Sequence, residues 1–388
     1  MTTEKLSGIM PSATVKLNDM LVRLAREGKD IISFSVGEPD FPTPENIKNA
    51  AKKALDDGFT HYTPSNGILD LRRAITRKLK NDNNIVFKPS NVIVTPTKFA
   101  IYSTINALTE YGDKVLVPDP AWVTYIPAIK LAESKPVSYN LLNEEDFRID
   151  EEDLKLKVEQ SHNSLKLLII NTPGNPTGHV MSIDELKFIR DLAVDNNFTV
   201  LSDEVYEKLV YDGKHISIGS LDGMEDRTVT VNGFSKAYAM TGWRLGWLAA
   251  DEEYIKDIIK LQQHSLTCAS SFSQVAGIEA LEGDQSSLEA MKREFRSRRD
   301  LMYSMMKEIP GLNPHKPMGA FYIFPDYDFD ISSEALSKYI LEKGLVGVTP
   351  GESFGRNGEK NLRFSYATSR ENIVKGMESI AKVLEELR

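Results

Sequence analysis

Cys268 is the only cysteine among 388 residues, so neither an intrachain disulfide nor a cysteine-based zinc site can form, and no metal site is expected. No apolar run approaches the ~18 residues that a membrane helix requires, which argues against a membrane partner. Positive charge is in deficit. The 47 Lys and Arg stand against 56 Asp and Glu, and the net charge of −9 opposes nonspecific attraction to nucleic acid or anionic lipid. No G-x-G-x-x-G occurs, which counts against a nicotinamide dehydrogenase. The N-terminal Met-Thr-Thr-Glu-Lys-Leu-Ser-Gly lacks a basic and then apolar signal pattern, and together with the single cysteine this predicts a cytoplasmic protein. Repeats and low-complexity tracts are missing too, and 41% hydrophobic residues argue against extended disorder. What remains is a globular chain, long enough for two or three domains of about 150 residues each, with small-molecule partners.

Short apolar runs then alternate with amphipathic stretches: Val92–Thr95, Lys114–Val117, Leu165–Ile170, Phe198–Ser202 and Thr228–Val231 read as strands of a largely parallel sheet in an α/β fold. Ile183, Leu186, Ile189 and Leu192 share one face of a helix over about 183–196, and Ser182 with Glu185 forms a capping box at its start. Earlier helices are expected at about 15–26, after a loose start containing Pro11, then at 44–57, stopped by Gly58, and at 68–82. After Leu248 one long helical stretch is expected from about 252 to 308, its basic cluster at 292–299 forming a solvated face. Residues 46–299 read as a large domain, and 1–45 with 300–388 as a smaller one.

The chemistry concentrates at predicted strand ends, where open α/β folds bind ligands. In Asn232-Gly-Phe-Ser-Lys236-Ala-Tyr-Ala-Met-Thr-Gly-Trp-Arg244-Leu-Gly246, two cations stand in an otherwise uncharged run, which is costly unless something pairs with them. A lysine held there loses hydration, its pKa falls, and it attacks a carbonyl carbon; an arginine between glycines suits a phosphate. Lysine as Schiff base plus arginine for phosphate points to pyridoxal phosphate. Asn171-Thr-Pro-Gly-Asn175-Pro-Thr-Gly178 is a rigid loop aiming the Asn175 amide. Asp203 ends a buried strand and needs a cation, which a protonated pyridine nitrogen supplies, while Tyr206 and Asn175 reach the ring's phenolic oxygen. Thr97 and Lys98 offer free amides at a helix start, an anion site. Trp122 is able to stack on a ring, or simply to pack. Gly37 either makes a turn or presents an amide to a carboxylate. Arg363 sits alone in an apolar strand, where alternation permits either a carboxylate grip or a solvent face.

These motifs, in this order from about Val36 to the C-terminal helix, resemble the aspartate and aromatic aminotransferase group of the class I/II, fold-type I family. The resemblance implies a large domain with a mostly parallel seven-stranded sheet, a smaller α+β domain, and a homodimer with shared sites. It implies transfer of an amino group from an L-amino acid, aspartate or aromatic, to a 2-oxo acid, 2-oxoglutarate above all, with Lys236 holding the cofactor and then moving the 1,3-proton. Asp203, Asn175 and Tyr206 would tune the ring and Trp122 stack on it. Arg244, Thr97, Lys98 and Ser235, with Tyr62 from a second subunit, would hold the phosphate; Gly37, Trp122, Asn175 and Arg363 would bind the substrate. Two departures stand out. Many relatives carry a phosphate-binding hydroxyl three residues before the lysine, where this chain has Gly233. Some aspartate-preferring members place a lysine on the helix after the phosphate loop, and the sequence placement puts Asn106 there.

Competing readings meet specific obstacles. Gly351-Glu-Ser-Phe-Gly355 matches a nucleophile elbow, but no histidine follows His315 and a strand rather than a helix comes next. Ser304-Met-Met-Lys307 lies within a helix without companion motifs. A ligand sensor of the same fold would need an added basic DNA-binding segment. Decarboxylation or elimination on the same scaffold differs from transamination only by family likeness. In the side-chain pocket Phe321 and Tyr322 hint at aromatic tolerance, and packing accounts for them equally well.

Overall fold

The computed structural model describes residues 6, 8–9, 13–161 and 163–387, so the loose start around Pro11 lies outside the described residues. Its first strand, β1 (Ile32–Ser33), follows the helix Ala13–Arg26. The large sheet is then built from β2 (Val92–Val94), β3 (Lys114–Asp119), β4 (Lys135–Leu142), β5 (Arg148–Ile149), β6 (Leu165–Asn171), β7 (Thr199–Asp203), β8 (Thr228–Gly233) and β9 (Gly246–Ala249). Their order is β2-β9-β8-β7-β6-β3-β4-β5. Strands β8, β7, β6, β3 and β4 run parallel, β9 is antiparallel to both neighbours, and β5 pairs antiparallel with β4. Eight strands therefore replace the expected seven. The extra one, β5, contributes two residues at the edge, too few to show a period in sequence.

Alternation along the strands sends side chains to two cores. Val115, Val117, Leu167, Ile169 and Leu201 pack with Ala100, Ile101, Ile105 and Ile258 on one face. Leu116, Leu168, Ile170 and Val200 pack with Leu154, Val158, Leu186 and Ile189 on the other. Each such fully buried aliphatic chain contributes about 1.5–3 kcal/mol relative to exposure. The helix Ile183–Asn196 begins with the expected capping box, Glu185 N donating to Ser182 Oγ (3.2 Å) and Ser182 N to Glu185 Oε2 (2.9 Å). The expected helices at 44–57 and 68–82 are Glu45–Asp56 and Leu69–Asn83.

The C-terminal region adds β10 (Leu312–Asn313), β11 (Tyr322–Ile323), β12 (Asp326–Tyr327), β13 (Val346–Gly347), β14 (Thr349–Pro350) and β15 (Leu362–Ser365). Strands β11-β15-β14 form an antiparallel sheet, and β1 from near the N-terminus pairs parallel with β13. The expected helical stretch is present as three helices, Glu252–Gln263, Ser271–Glu282 and Ser286–Lys307, the last running unbroken through position 300. One expectation fails here. The basic cluster is not wholly solvated: Arg298 and Arg299 are buried, Arg298 paired with Asp40 (2.7 Å) and Glu294 (2.9 Å), and Arg299 with Asp212 and with Asp300 (2.9 Å).

Candidate active site

Parallel pairing brings Asn171, the last residue of β6, beside Asp203, the last of β7, and Asp203 beside Val231 of β8. The chain then leaves β8 at Gly233 and reaches Lys236 three residues on. One cavity of about 430 Å³ opens at these ends, lined among others by Gly37, Thr97, Lys98, Trp122, Asn175, Asp203, Tyr206, Ser235, Lys236, Arg244, Tyr322 and Arg363. Every sequence-predicted site residue except Tyr62 is in that lining. Tyr62 is 88% exposed, in the turn between the helices Glu45–Asp56 and Leu69–Asn83.

Lys236 Nζ donates to Gly37 O (2.5 Å) and lies 5.8 Å from the ring centres of Tyr206 and Phe321. Burial of the amine brings its pKa down to about 8, with Arg363 and Arg244 pushing the same way and Glu38 and Asp203 opposing. Asp203 is 4% exposed; its Oδ2 accepts the Tyr125 hydroxyl (2.7 Å) and its Oδ1 the Val205 amide (3.3 Å). No cation is within ion-pair distance of it among the described residues, and burial raises its carboxyl to about 6 against the lowering effect of the Tyr125 bond. A buried carboxylate without a cation is a costly arrangement that a pyridinium nitrogen would relieve.

Arg363 is 3% exposed, which settles the strand alternation in favour of the interior. Nη1 donates to Asn175 Oδ1 (3.0 Å) and Nη2 to Ser35 O (2.7 Å), while the guanidinium lies 4.5 Å from the Tyr322 ring and 4.9 Å from the Phe354 ring. Its Nε has no partner, and it has no carboxylate partner among the described residues. Burial lowers its pKa. The fork is thus held flat between two rings and awaits an anion.

The phosphate expectations meet a steric explanation. The helix Thr97–Leu108 starts beside β8 and β9, and Thr97 Oγ1 donates to Asn232 O (3.3 Å). A Cβ added at Gly233 or at Gly246 would collide with that same Oγ1. The space that a side chain at position 233 would need is therefore filled from the helix by Thr97. Arg244, at φ 54°, donates from Nη1 to Thr241 O (2.8 Å) and has no carboxylate partner among the described residues. Free helix amides, a hydroxyl, Ser235 and Arg244 around one end of the cavity suit a phosphate dianion. With Asp203 and Lys236 at the other end, the residues present fit pyridoxal phosphate.

Asn106 lies outside the cavity lining: its Nδ2 donates back to Tyr102 O (2.8 Å) within the helix, about one and a half turns past Ile101, which lines the cavity. The lysine that enters the cavity from this helix is Lys98. Its ammonium stands 5.2 Å from the Trp122 ring centre, has no anionic partner among the described residues, and is lowered in pKa by burial and by Arg244. Three residues have supporting parts that the sequence reading did not assign them. Tyr125 holds Asp203 and stands edge-on to Trp122 (5.4 Å, 81°); Asn171 ties the Asn175 loop to β7 through Asn175 N (2.8 Å) and Asp203 O (2.9 Å); Tyr322 bonds Tyr206, hydroxyl to hydroxyl, at 2.9 Å. Asn171 opens the loop already singled out and Tyr125 lies three residues after Trp122, so the signal was their i−4 and i+3 spacing from Asn175 and Trp122. Beside the site, Glu204, Glu207 and His215 bring ligand atoms within 4.8 Å of one another, and Lys78 supplies a cation there through its pair with Glu207.

The family model for class I and II aminotransferases matches residues 29–380. An aspartate aminotransferase of Pyrococcus abyssi is 43% identical over 390 residues, covering 99% of this chain and 98% of its own. An aromatic-amino-acid aminotransferase 2 of Thermococcus litoralis is 43% identical over the same shares. Among solved structures, the aspartate aminotransferase from Thermus thermophilus with maleate superposes with a TM-score of 0.94 at 36% identity, covering 99% of both chains. A lysine, a cation-seeking carboxylate and a phosphate cradle in one cavity, with likeness over the whole length, place this chain in the class I and II aminotransferase family, whose members depend on pyridoxal phosphate.

Proposed function

We propose that the enzyme prefers dicarboxylic substrates, aspartate as amino donor and 2-oxoglutarate as acceptor, and that it works as a cytoplasmic homodimer. The observation that carries this is Lys98: beside Arg363 and the phosphate-facing Arg244, it is a further cation in the cavity with no anionic partner among the described residues. An amino acid with one carboxylate uses only one of Arg363 and Lys98. A dicarboxylate uses both, Arg363 for the α-carboxylate and Lys98 for the distal one. The Lys98 amide, meanwhile, faces the phosphate from the helix start.

Bound pyridoxal phosphate supplies a ring that draws negative charge away from the substrate's α-carbon. Asp203 would keep a proton on the ring nitrogen, so that this withdrawal persists. Tyr206 and Asn175 would donate to the phenolic oxygen, and Trp122 would pack against the ring. Thr97 and Lys98 amides, Ser235 and Arg244, with Tyr62 of a second copy, would hold the phosphate. The Arg363 fork, the Asn175 amide and the Gly37 backbone fix the α-carboxylate. Lys236 would hold the cofactor and then, as a free amine, take the proton from the substrate's α-carbon and deliver it to the carbon two atoms away, the 1,3-shift that transamination requires. With its pKa brought to about 8, part of its population is neutral near pH 7, as a proton acceptor must be. Val36, Ile101 and Trp122 in the same lining favour aromatic side chains as a second substrate class.

The test is a half-reaction screen over the twenty amino acids, following the absorbance of the bound cofactor, on the native enzyme and on Lys98→Ala. Aspartate and glutamate should lead. The variant should lose about 10²-fold in kcat/KM for aspartate, as loss of a charge-assisted pair predicts, and less than about threefold for phenylalanine. Equal losses for both would remove Lys98 from side-chain recognition.

A further inference from the structure

Tyr322 lies on β11, which pairs with β15 next to Arg363, whereas Tyr206 follows β7 of the large sheet. The two hydroxyls meet at 2.9 Å in a fully buried setting, and either is able to donate. The ring of Tyr322 also lies 4.5 Å under the Arg363 guanidinium, and its hydroxyl is packed against Gly37, where an added Cβ would come to 3.1 Å. One side chain thus touches the phenol that faces the cofactor, the arginine that faces the substrate, and the glycine that accepts from Lys236.

We infer that Tyr322 is a positioning residue that sets how strongly Tyr206 donates to the cofactor's phenolic oxygen. This rests on the reading of Tyr206 given above. A phenol has one proton. When Tyr206 gives its proton to the phenolic oxygen, the 2.9 Å contact requires Tyr322 to donate to Tyr206. That second bond fixes the rotor of Tyr206 and polarises its O–H, making it the stronger donor, as in cooperative hydrogen-bond chains. The phenolic oxygen bears most negative charge when the neighbouring lysine–cofactor nitrogen has lost its proton. A stronger donor therefore favours the deprotonated form and lowers the pH at which that proton leaves. The same nitrogen is faced by Glu38, Arg363, Asp203 and Arg244. All four remain in a Tyr322→Phe variant, and the ring stays under Arg363.

The experiment is a pH titration of the visible absorbance of the lysine-bound cofactor in four holoenzymes: native, Tyr322→Phe, Tyr206→Phe and the double variant. The midpoint should rise by about 0.5 pH unit in Tyr322→Phe and by more in Tyr206→Phe, and adding Tyr322→Phe to Tyr206→Phe should move it no further. The dissociation constant of succinate, read by the same absorbance, should stay within about twofold of native in Tyr322→Phe, because the stack on Arg363 is kept. A midpoint unmoved by Tyr322→Phe while Tyr206→Phe shifts it, or moved equally in both backgrounds, overturns the inference alone. A midpoint unmoved by Tyr206→Phe overturns the reading of Tyr206, and the inference with it.

Discussion

Asp203 shows how a residue is held in a state that costs stability and supplies function. Burial raises its carboxyl to about 6, while Tyr125 donates a hydroxyl that partly offsets the cost. In an unfolded chain the same group titrates near 3.9. Because the folded pKa is the higher one, the folded apoprotein binds more protons between about pH 4 and 6. It is therefore destabilised as pH rises through that window, and the penalty is fully present at pH 7. The apoprotein of Asp203→Asn should accordingly be more stable than native at pH 7, by a few kcal/mol at most, with the advantage fading as pH falls from 6 to 4. The amide still accepts from Tyr125, so the fold need not adjust. The holoenzyme should behave in the opposite sense: cofactor still binds, yet turnover falls at least ~10²-fold because the ring nitrogen no longer keeps its proton. Melting of apoprotein at pH 7 and 4.5, beside kcat of the loaded form, checks both signs. A variant that is neither stabilised nor slowed would mean that Asp203 has a cation other than the cofactor.

At the scale of elements, the start of the helix Thr97–Leu108 and the ends of β8 and β9 compete for one small volume. Thr97 Oγ1 fills what a side chain at Gly233 would occupy. Gly233→Ser adds a hydroxyl at the phosphate end, yet it should weaken cofactor binding at least tenfold, because the new Cβ drives Thr97 out of place. Thr97→Ala together with Gly233→Ser should recover most of the loss, since the clash with Oγ1 is gone and backbone neighbours at 3.2–3.3 Å leave tight but usable room. Equilibrium dialysis of cofactor against the four proteins measures it; a double variant no better than Gly233→Ser would put the strain in the backbone. The same elements show what a sequence reveals. Asn175, Asp203 and Lys236 are readable because each has its chemistry and its strand or turn within a few residues. Thr97 is readable as a helix start, but not as the side chain that fills the space beside Gly233, since that needs the helix packed against the ends of β8 and β9. Counting along a helix does not say which turn meets the cavity, and it is Lys98 rather than Asn106 that lines it. Arg298 and Arg299 look like a solvated face until Asp40 and Asp212, 258 and 87 residues away, are brought to them.

For the whole molecule, the proposed homodimer is what would bring Tyr62 to a site. Tyr62 stands exposed and outside its own cavity, while Arg244 belongs both to that cavity and to an adjoining groove lined by Phe41, Trp243, Leu266, Phe272 and neighbours. A second copy seated on this apolar groove would cover it and bring a tyrosine to the phosphate end, the arrangement proposed above. Each site would then take its lysine from one chain and its tyrosine from the other. A Lys236→Ala homodimer and a Tyr62→Glu homodimer should both be defective, the first without its nucleophile and the second with a carboxylate facing the phosphate. When the two are unfolded together and refolded, hybrids should contain one site with both lesions and one with neither. Activity in the mixture should then approach a quarter of native, since about half the dimers are hybrids and half of their sites are intact under random pairing. The assay needs differently tagged chains, so that hybrids are isolated and their presence is certain. Purified hybrids no more active than the mean of the two parents would place Tyr62 outside the neighbouring site, and the groove would then have to be explained without a shared cavity.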